Sequence, residues 1–474
     1  MFAIMGGNIE KLADCVGAAQ LGCENGSRIR PFFVNSPLMS FHKKFYSLSL
    51  GCAKNQVDSE RATAELLFAN FKIAKNPKES DVLLINTCGF IEPAKEESIE
   101  AILSLLKNKK AKQKAIVYGC LSQRYGRELA KEIPEVDFWL GNYRTGMLLE
   151  ILGFEPQAKL CKTSPPKRIR NFEYPHHAYL KIADGCNRAC SFCAIPAIRG
   201  RQISQSVENL ADEAKQLEEN GVKELSLIAQ DLSSYGTDLY KTASLERLLE
   251  ALLKNTKIPW LRLMYLYPEH ITDGLLNLMA KEPRICKYAD IPIQHASDKM
   301  LKLMRRKYSA KNLKNILCKM REAVPGITLR TTVLLGFPGE SHSDFEELMS
   351  LAEEIRFEHL GGFIWSPEEG TAAMKLKEER VPVETARLRL DALIERQEEI
   401  SAEKNCAMIG QTMDVIIDSV AEESEFHFYG RTQGNALETD DVARILEGSG
   451  DVGQIRKVKI VDAGAHEVDG VLLD

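Results

Sequence analysis

Long apolar runs are missing from this chain. None approaches the roughly 20 consecutive residues that a membrane-spanning helix needs, so no membrane partner is expected. The opening stretch, MFAIMGGNIEKLADCVGAAQLGC, has neither a basic n-region nor a continuous apolar h-region and is a poor secretory signal. No compositional extreme is present either. At 44% hydrophobic and 27% charged residues the chain sits near the soluble globular average, which argues against a disordered, collagen-like or coiled-coil protein. Charge of one sign is also scarce: the formal net charge is −5, which taken whole gives no reason to expect nucleic-acid binding. What the 474 residues do hold is core-forming material for about two to four domains. They also hold 12 cysteines. In a reducing cytoplasm, the default expectation here, cysteines more often mean metal or redox chemistry than disulfides.

The pattern changes along the chain. Residues 1–41 carry Gly6-Gly7, Gly22 and Asn25-Gly26 without a long amphipathic period; they read as a poorly ordered extension or, given the second methionine at Met39, an over-called start. Over 42–154 short apolar runs (FYSLSLG, VLLINT, AIVYG, FWLG) alternate with helical stretches such as NQVDSERATAELLFAN. That alternation indicates a parallel sheet of βα units. Residues 155–176 contain Pro156, Pro165, Pro166 and Pro175 together with Lys167, Arg168 and Arg170, and read as a linker. A second series over 177–404 has six expected strands: AYLKIA, ELSLIAQ, WLRLMYLY, YADIPIQ, ITLRTTVLLG and LGGFIWS. Six βα repeats fit a partial or complete parallel barrel better than an open sheet; a charged exit helix, VETARLRLDALIERQEEISAEKN, follows. The stretch 405–474 switches to short strands (DVIIDSV, FHFYGRT, KVKIVDAG), a small all-β module of the OB size class.

Two cysteine sets stand out. Cys186, Cys190 and Cys193 form a C-x-x-x-C-x-x-C loop after the first barrel strand, at the end where barrel active sites collect. Three soft thiolates suit an iron–sulfur cluster or zinc, and a cubane held by three cysteines keeps one iron without a protein ligand. The alternative is a zinc knot completed by His176 or His177, although both precede a strand that would point them away. Cys52, Cys88 and Cys120 each follow an expected strand (SLSLGC, LLINTC, AIVYGC). Carboxyl ends of parallel strands face one crevice, so these three should converge on a second cluster rather than serve only as small buried hydrophobes. Cys15, Cys23, Cys161, Cys286, Cys318 and Cys406 show no ligand spacing.

The three-cysteine loop, with an aromatic residue before its last cysteine, resembles the radical S-adenosylmethionine superfamily. The ordered motifs SLGCAKNQVDSE, NTCGFIEPAKEES, YGCLSQRY, ADGCNRACSFCAIP, PIQHAS and GFPGES resemble the methylthiotransferase family over about 42–474. The resemblance implies an α/β fold: an N-terminal parallel-sheet domain, a central partial (β/α)6 barrel and a C-terminal antiparallel β-barrel of the TRAM, OB-like kind. It implies two [4Fe-4S] clusters and S-adenosylmethionine. In that family one cofactor molecule methylates sulfur on the auxiliary cluster, and a second yields the radical that abstracts a substrate hydrogen. A reductant such as flavodoxin or ferredoxin is implied as well.

The family has two main substrates, an adenosine of transfer RNA and an aspartate β-carbon of small-subunit ribosomal protein number twelve (the RimO type). Residues 405–474 hold 14 acidic and 5 basic side chains, a net −9 against +4 elsewhere. Such a module repels a phosphate backbone and complements a basic ribosomal protein. Within it GRTQGNALETDD resembles the protein-modifying branch, with Glu438, Asp440 and Asp441 as expected docking residues. A non-catalytic, metal-stapled ribosome-binding protein is the remote alternative. For the cofactor, Gln294 beside His295, Arg330 through its planar fork, Gly336 in the GFPGE turn and Gln230 with Asp231 and Tyr235 are the candidate contacts. Each has a purely structural reading too: a cap, a turn or an outward-facing position.

Overall fold

A computed structural model describes residues 43–154, 168, 173–422 and 425–473. The expected extension and most of the expected linker fall outside them. The chain divides into two compact units, 1–173 and 174–474.

The first unit is a five-stranded sheet in the order β2-β1-β3-β4-β5, with β1 Lys44–Ser49, β2 Lys72–Ile73, β3 Val82–Thr87, β4 Lys114–Gly119 and β5 Phe138–Trp139. Every pairing is parallel. Helices α1 Ala53–Phe68, α2 Glu92–Leu106, α3 Cys120–Glu132 and α4 Met147–Ile151 accompany it. All six residues of β3 are buried, as a strand covered on both faces requires. The sequence reverses direction between β1 and β3, which makes their carboxyl ends the topological switch point where open α/β sheets bind ligands. Glu65 is buried on α1 for a structural reason. Its carboxylate accepts the amides of Gly146, Leu148 and Leu149 at 2.9–3.1 Å, closing the open start of α4.

The second unit begins with six parallel strands, β6 His177–Lys181, β9 Glu224–Ile228, β10 Trp260–Leu263, β11 Ile285–Asp290, β12 Thr328–Leu335 and β13 His359–Ile364. They pair in chain order, so the sheet is an open, partial barrel with β6 and β13 at its edges. A two-stranded ribbon, β7 Ala183–Asp184 with β8 Ile203–Ser204, stands beside it. Helices α5 Val207–Glu219, α6 Leu245–Asn255, α7 Asp273–Lys281, α8 Asp298–Leu303, α9 Ala310–Ala323 and α10 His342–Ile355 fall between the strands. Four start on a capping hydroxyl: Ser206, Thr272, Ser297 and Ser309 each accept the amide three residues on. Ser341 and Asp344 form a reciprocal capping box on α10. The exit helix α11 is Val383–Cys406.

The last part is a closed five-stranded barrel in the order β14-β15-β16-β18-β17, with β14 Thr412–Val420, β15 Phe428–Thr432, β16 Val442–Glu447, β17 Ile455–Ala463 and β18 Glu467–Leu472. It departs from a purely antiparallel expectation at one place, where β16 and β18 pair in parallel. That pairing lets five strands close without a free edge. The small barrel belongs to the same compact unit as the large one. Buried charge joins them at the amino ends of the parallel strands. Glu224 pairs with Arg262 at 2.6 Å and with Arg431 at 2.7 Å; Arg431 also pairs with Asp418 at 2.7 Å, and Asp418 with His176 at 2.7 Å. The chain after β15 lies across the same floor: Gln433 O accepts from Arg262, and Gly434 O bonds His359.

Candidate metal centres

The loop carrying Cys186, Cys190 and Cys193 springs from β6 and is pinned at several points. The β7–β8 ribbon closes its base, and the Cys186 amide donates to Gly200 O at 3.1 Å. Asp184 receives Arg199 at 2.9 Å and Lys181 at 3.0 Å; although burial alone would raise it, those two cations hold its carboxyl well below the usual range. In the middle of the loop Ser191 is clamped three ways. Its amide donates to Met304 O at 3.2 Å, its hydroxyl to Leu303 O at 2.7 Å, and its own carbonyl accepts from Ala373 at 2.7 Å. Those two carbonyls close α8 and would otherwise be orphans. Arg188 lies 3.7 Å over the Tyr267 ring and pairs with Asp231 at 2.7 Å and Glu269 at 2.5 Å.

Burial pushes the Cys186 thiol up to about 11 and Cys193 to about 12, and the neighbouring cysteines add to both shifts. Cys186 and Cys193 become thiolates readily only if a positive charge joins them, which is what a bound metal supplies. The donor set therefore fits an iron–sulfur cluster with one iron left free. Among the described residues no three His, Cys, Asp or Glu side chains are set to share a single metal ion. His176 and His177 lie at the opposite end of β6, engaged with Asp418 and Ser226. A cavity of about 550 Å³ opens beside the loop, lined by Cys186, Asn187, Arg188, Pro196, Arg201 and Gln202.

The second triplet gathers at the switch point of the first unit. Cys52 is the cap residue of α1, Cys88 follows β3 and Cys120 opens α3. Gly51 has no room for a side chain, because a Cβ there would stand 2.8 Å from Cys88 Cβ. Asn55 ties the strand ends together: its Nδ2 donates to Leu50 O at 2.9 Å and Thr87 O at 3.1 Å, and its Oδ1 lies 3.9 Å from Cys120 Sγ. Gly119 adopts φ 101° with a Cβ site 2.4 Å from Asn86 Oδ1, so only glycine can turn β4 into Cys120. Burial, with Cys52 and Cys120 adding repulsion, lifts the Cys88 thiol to about 12. Two of the three thiols sit at helix amino ends, where the dipole favours negative charge. The convergence expected from strand order is present, and the donor set again fits a cluster.

Three stretches of the chain are similar to known families. Residues 44–141 match the uncharacterized protein family UPF0004, 180–352 the radical SAM superfamily and 409–473 the TRAM domain. A ribosomal protein uS12 methylthiotransferase RimO from Anaeromyxobacter sp. (strain Fw109-5) is 42% identical over 90% of this chain and 92% of its own. Namesakes from Aquifex aeolicus and Bacteroides thetaiotaomicron are 43% and 42% identical, covering 96% and 99% of their own lengths. This chain belongs to the RimO family. Among solved structures, the radical S-adenosylmethionine methyltransferase TsrM from Kitasatospora setae, with cobalamin and a [4Fe-4S] cluster bound, matches at TM-score 0.53 and 13% identity, over 70% of this chain and 74% of that one. That likeness concerns the fold alone.

The other candidate residues of this RimO-family chain divide into two groups. Gln230 lies beside the cluster loop, donating to Asp184 at 3.2 Å while its Oε1 is buried without a partner. Gln294 lies four residues beyond β11, in a left-handed conformation (φ 71°), bridges to Val333 of β12 and remains partly open. Arg330 is a correction: it sits low in the barrel, held at 3.0 Å by both Asp290 and Asp440, because the alternation of β12 aims it at the floor. Gly336 has a φ of 69° and a Cβ site 2.6 Å from Ala386, so only glycine lets α11 pack there. Asp231 is taken up by Arg188, the buried Tyr235 hydroxyl by Gln205 O, and the wholly buried His295 by the Ala296 and Ser297 amides. Of the expected docking residues, Asp440 is only 1% exposed and bonds Arg330 and Tyr288. Asp441 faces His359 and His466, and only Glu438 is exposed. Asn55 and Ser191 escaped the sequence reading; Asn55 lies inside the quoted AKNQVDSE motif, and Ser191 between two ligand cysteines.

Proposed function

We propose that this chain is a radical S-adenosylmethionine methylthiotransferase that adds a methylthio group to the β-carbon of an aspartate in small-subunit ribosomal protein uS12. The observation that carries the reading is the pair of cysteine triplets, each gathered at the carboxyl ends of parallel strands in its own unit. Cys186, Cys190 and Cys193 would hold the [4Fe-4S] cluster that binds S-adenosylmethionine, and Cys52, Cys88 and Cys120 the auxiliary [4Fe-4S] cluster. When bound, these groups supply a carbon-centred radical and the sulfur to be transferred. The chain's own residues position and shield. Ser191 fixes the loop against α8, Arg188 stacks on Tyr267, and the open Gln230 Oε1 can accept from the cofactor amino group. Exposed carboxylates of the small barrel, Glu438 among them, would steer the basic substrate protein. The reaction belongs to the cytoplasm, with uS12 free or within the ribosome and a flavodoxin or ferredoxin as reductant. Transfer RNA is not favoured: Arg168, in the basic stretch that would serve it, is paired with Glu60 at 2.9 Å.

Mass spectrometry of uS12 and of transfer-RNA nucleosides from a deletion strain tests the substrate. Loss of the methylthio group from the aspartate is expected; loss from adenosine alone would overturn the assignment. Reconstituted protein should bind about eight iron atoms, and about four after alanine replacement of Cys52, Cys88 and Cys120.

A further inference from the structure

We propose that Arg306 is the counter-cation of the radical cluster and eases its one-electron reduction. The inference rests on the reading of Cys186, Cys190 and Cys193 as cluster ligands. A single helix end delivers both the loop clamp and this arginine. After α8 the chain makes a Schellman turn: the Arg306 amide donates to Leu301 O at 2.8 Å and the Arg305 amide to Lys302 O at 3.0 Å, with Arg305 left-handed at φ 57°. A non-glycine residue is strained in that conformation, and the turn carries Arg306 back toward the cysteine loop.

There its Nη2 donates to Pro292 O at 2.7 Å and its Nη1 lies 3.8 Å from Cys190 Sγ. The guanidinium stands 4.7 Å from the Tyr267 ring centre and 5.9 Å from those of Phe192 and Tyr308. Its Nε is shut off from solvent and has no hydrogen-bond partner. Arg188, on the same loop, is neutralised by Asp231 and Glu269. Arg306 differs, because among the described residues no carboxylate lies within ion-pair distance of it. A guanidinium enclosed by aromatic rings and lacking an anion is costly, and the group it faces is a thiolate ligand. A cluster carried by three thiolates is anionic and would complete the pair. The reduced cluster bears one more negative charge than the oxidised one, so a fixed cation beside it favours reduction. In that step a low-potential donor gives up one electron, the cluster gains it, and Arg306 stays protonated throughout.

The test uses full-length protein carrying C52A/C88A/C120A, which leaves one cluster, with R306Q and R306K added separately. Iron content, the midpoint potential from a redox titration followed by electron paramagnetic resonance, and 5′-deoxyadenosine formation are measured. With R306Q the potential falls and 5′-deoxyadenosine forms about tenfold more slowly, the scale of one charge-assisted hydrogen bond; R306K stays near the parent. If R306Q takes up no iron while R306K does, the requirement for charge stands. If R306K behaves like R306Q, or if R306Q keeps the parent potential, the role of Arg306 is overturned. A parent that binds no iron overturns the cluster assignment itself, and the two failures are thereby distinguished.

Discussion

Replacing Arg431 by alanine tests whether charge holds the small β barrel to the floor of the large one. Arg431 is 2% exposed and bridges Glu224 in β9 to Asp418 in β14. Removing one partner of a buried pair costs about 3–5 kcal/mol, because the remaining charge is stranded. Here neither carboxylate is wholly abandoned, since Glu224 keeps Arg262 at 2.6 Å and Asp418 keeps His176 at 2.7 Å. The lower end, about 3 kcal/mol, is therefore expected. A unit of this size loses roughly 2 °C of Tm per kcal/mol, so scanning calorimetry should find the transition about 6 °C lower in R431A. Both carboxyls are held below their usual range, with the arginines opposing the desolvation of burial. Their contribution is thus complete above the unfolded carboxylate value of about 4 and fades only below it. The deficit of R431A should consequently be the same at pH 6 and pH 8, and iron uptake should be unchanged. A shift under about 2 °C, the size expected of an exposed ion pair, would refute the reasoning.

Further outcomes follow from other sites. Gly119→Ala should lose about half of the bound iron, because its Cβ would strike Asn86 Oδ1 and displace Cys120; iron analysis beside an unchanged yield of 5′-deoxyadenosine checks it. Burial holds His177 down at about 3, so the unfolded chain binds the extra proton first and stability falls as the pH drops below about 6.5. The loss between pH 7 and pH 5 is about 2 kcal/mol, and the slope of Tm against pH should flatten in H177Q. Charge reversal at the exposed Glu447 and Asp451 should weaken association with uS12 most at low salt, whereas D440N should lower Tm. Binding by the reversed variant that equals the parent's at every salt concentration would remove the acidic rim from the docking surface.

What could be read from the sequence is what repeats or has an unambiguous period. The buried run VLLINT and the alternation of apolar runs with SVENLADEAKQLEENG-type helices identify both parallel sheets, because burial on two faces leaves a continuous apolar stretch. Convergence of Cys52, Cys88 and Cys120 follows from strand order alone. The two-residue edge strand β2 was not legible, since a strand that short carries no alternation. Strands β16 and β18 also escaped, having charged and small residues in place of an apolar run: VARILE keeps Arg444 for Asp469, and EVDGVL holds Gly470 against Val458. Arg330 is the most informative miss. Along β12 every second residue (Leu329, Thr331, Val333 and Leu335) is buried, an alternation the sequence lets one expect, but nothing there says which end of the strand the small barrel covers.

That same ambiguity explains why net charge was a blunt guide to docking. The −9 of residues 405–474 treats every carboxylate as surface, yet the module spends its acids in two places. Asp418, Asp440 and Asp441 meet His176, Arg330 and His359 of the large barrel, and Asp418 and Asp441 also meet Arg431 and His466 within the small barrel itself. Glu422, Glu425, Glu438, Glu447, Asp451 and Asp462 are among those that remain exposed and able to act on a basic partner over a Debye length of about 8–10 Å. The segment GRTQGNALETDD belongs mainly to the first group: its Arg431 and Asp440 have their partners inside the molecule. Its resemblance to the protein-modifying branch therefore goes with residues that seat the small barrel, and the docking proposed for the module rests on the carboxylates that this seating leaves facing solvent.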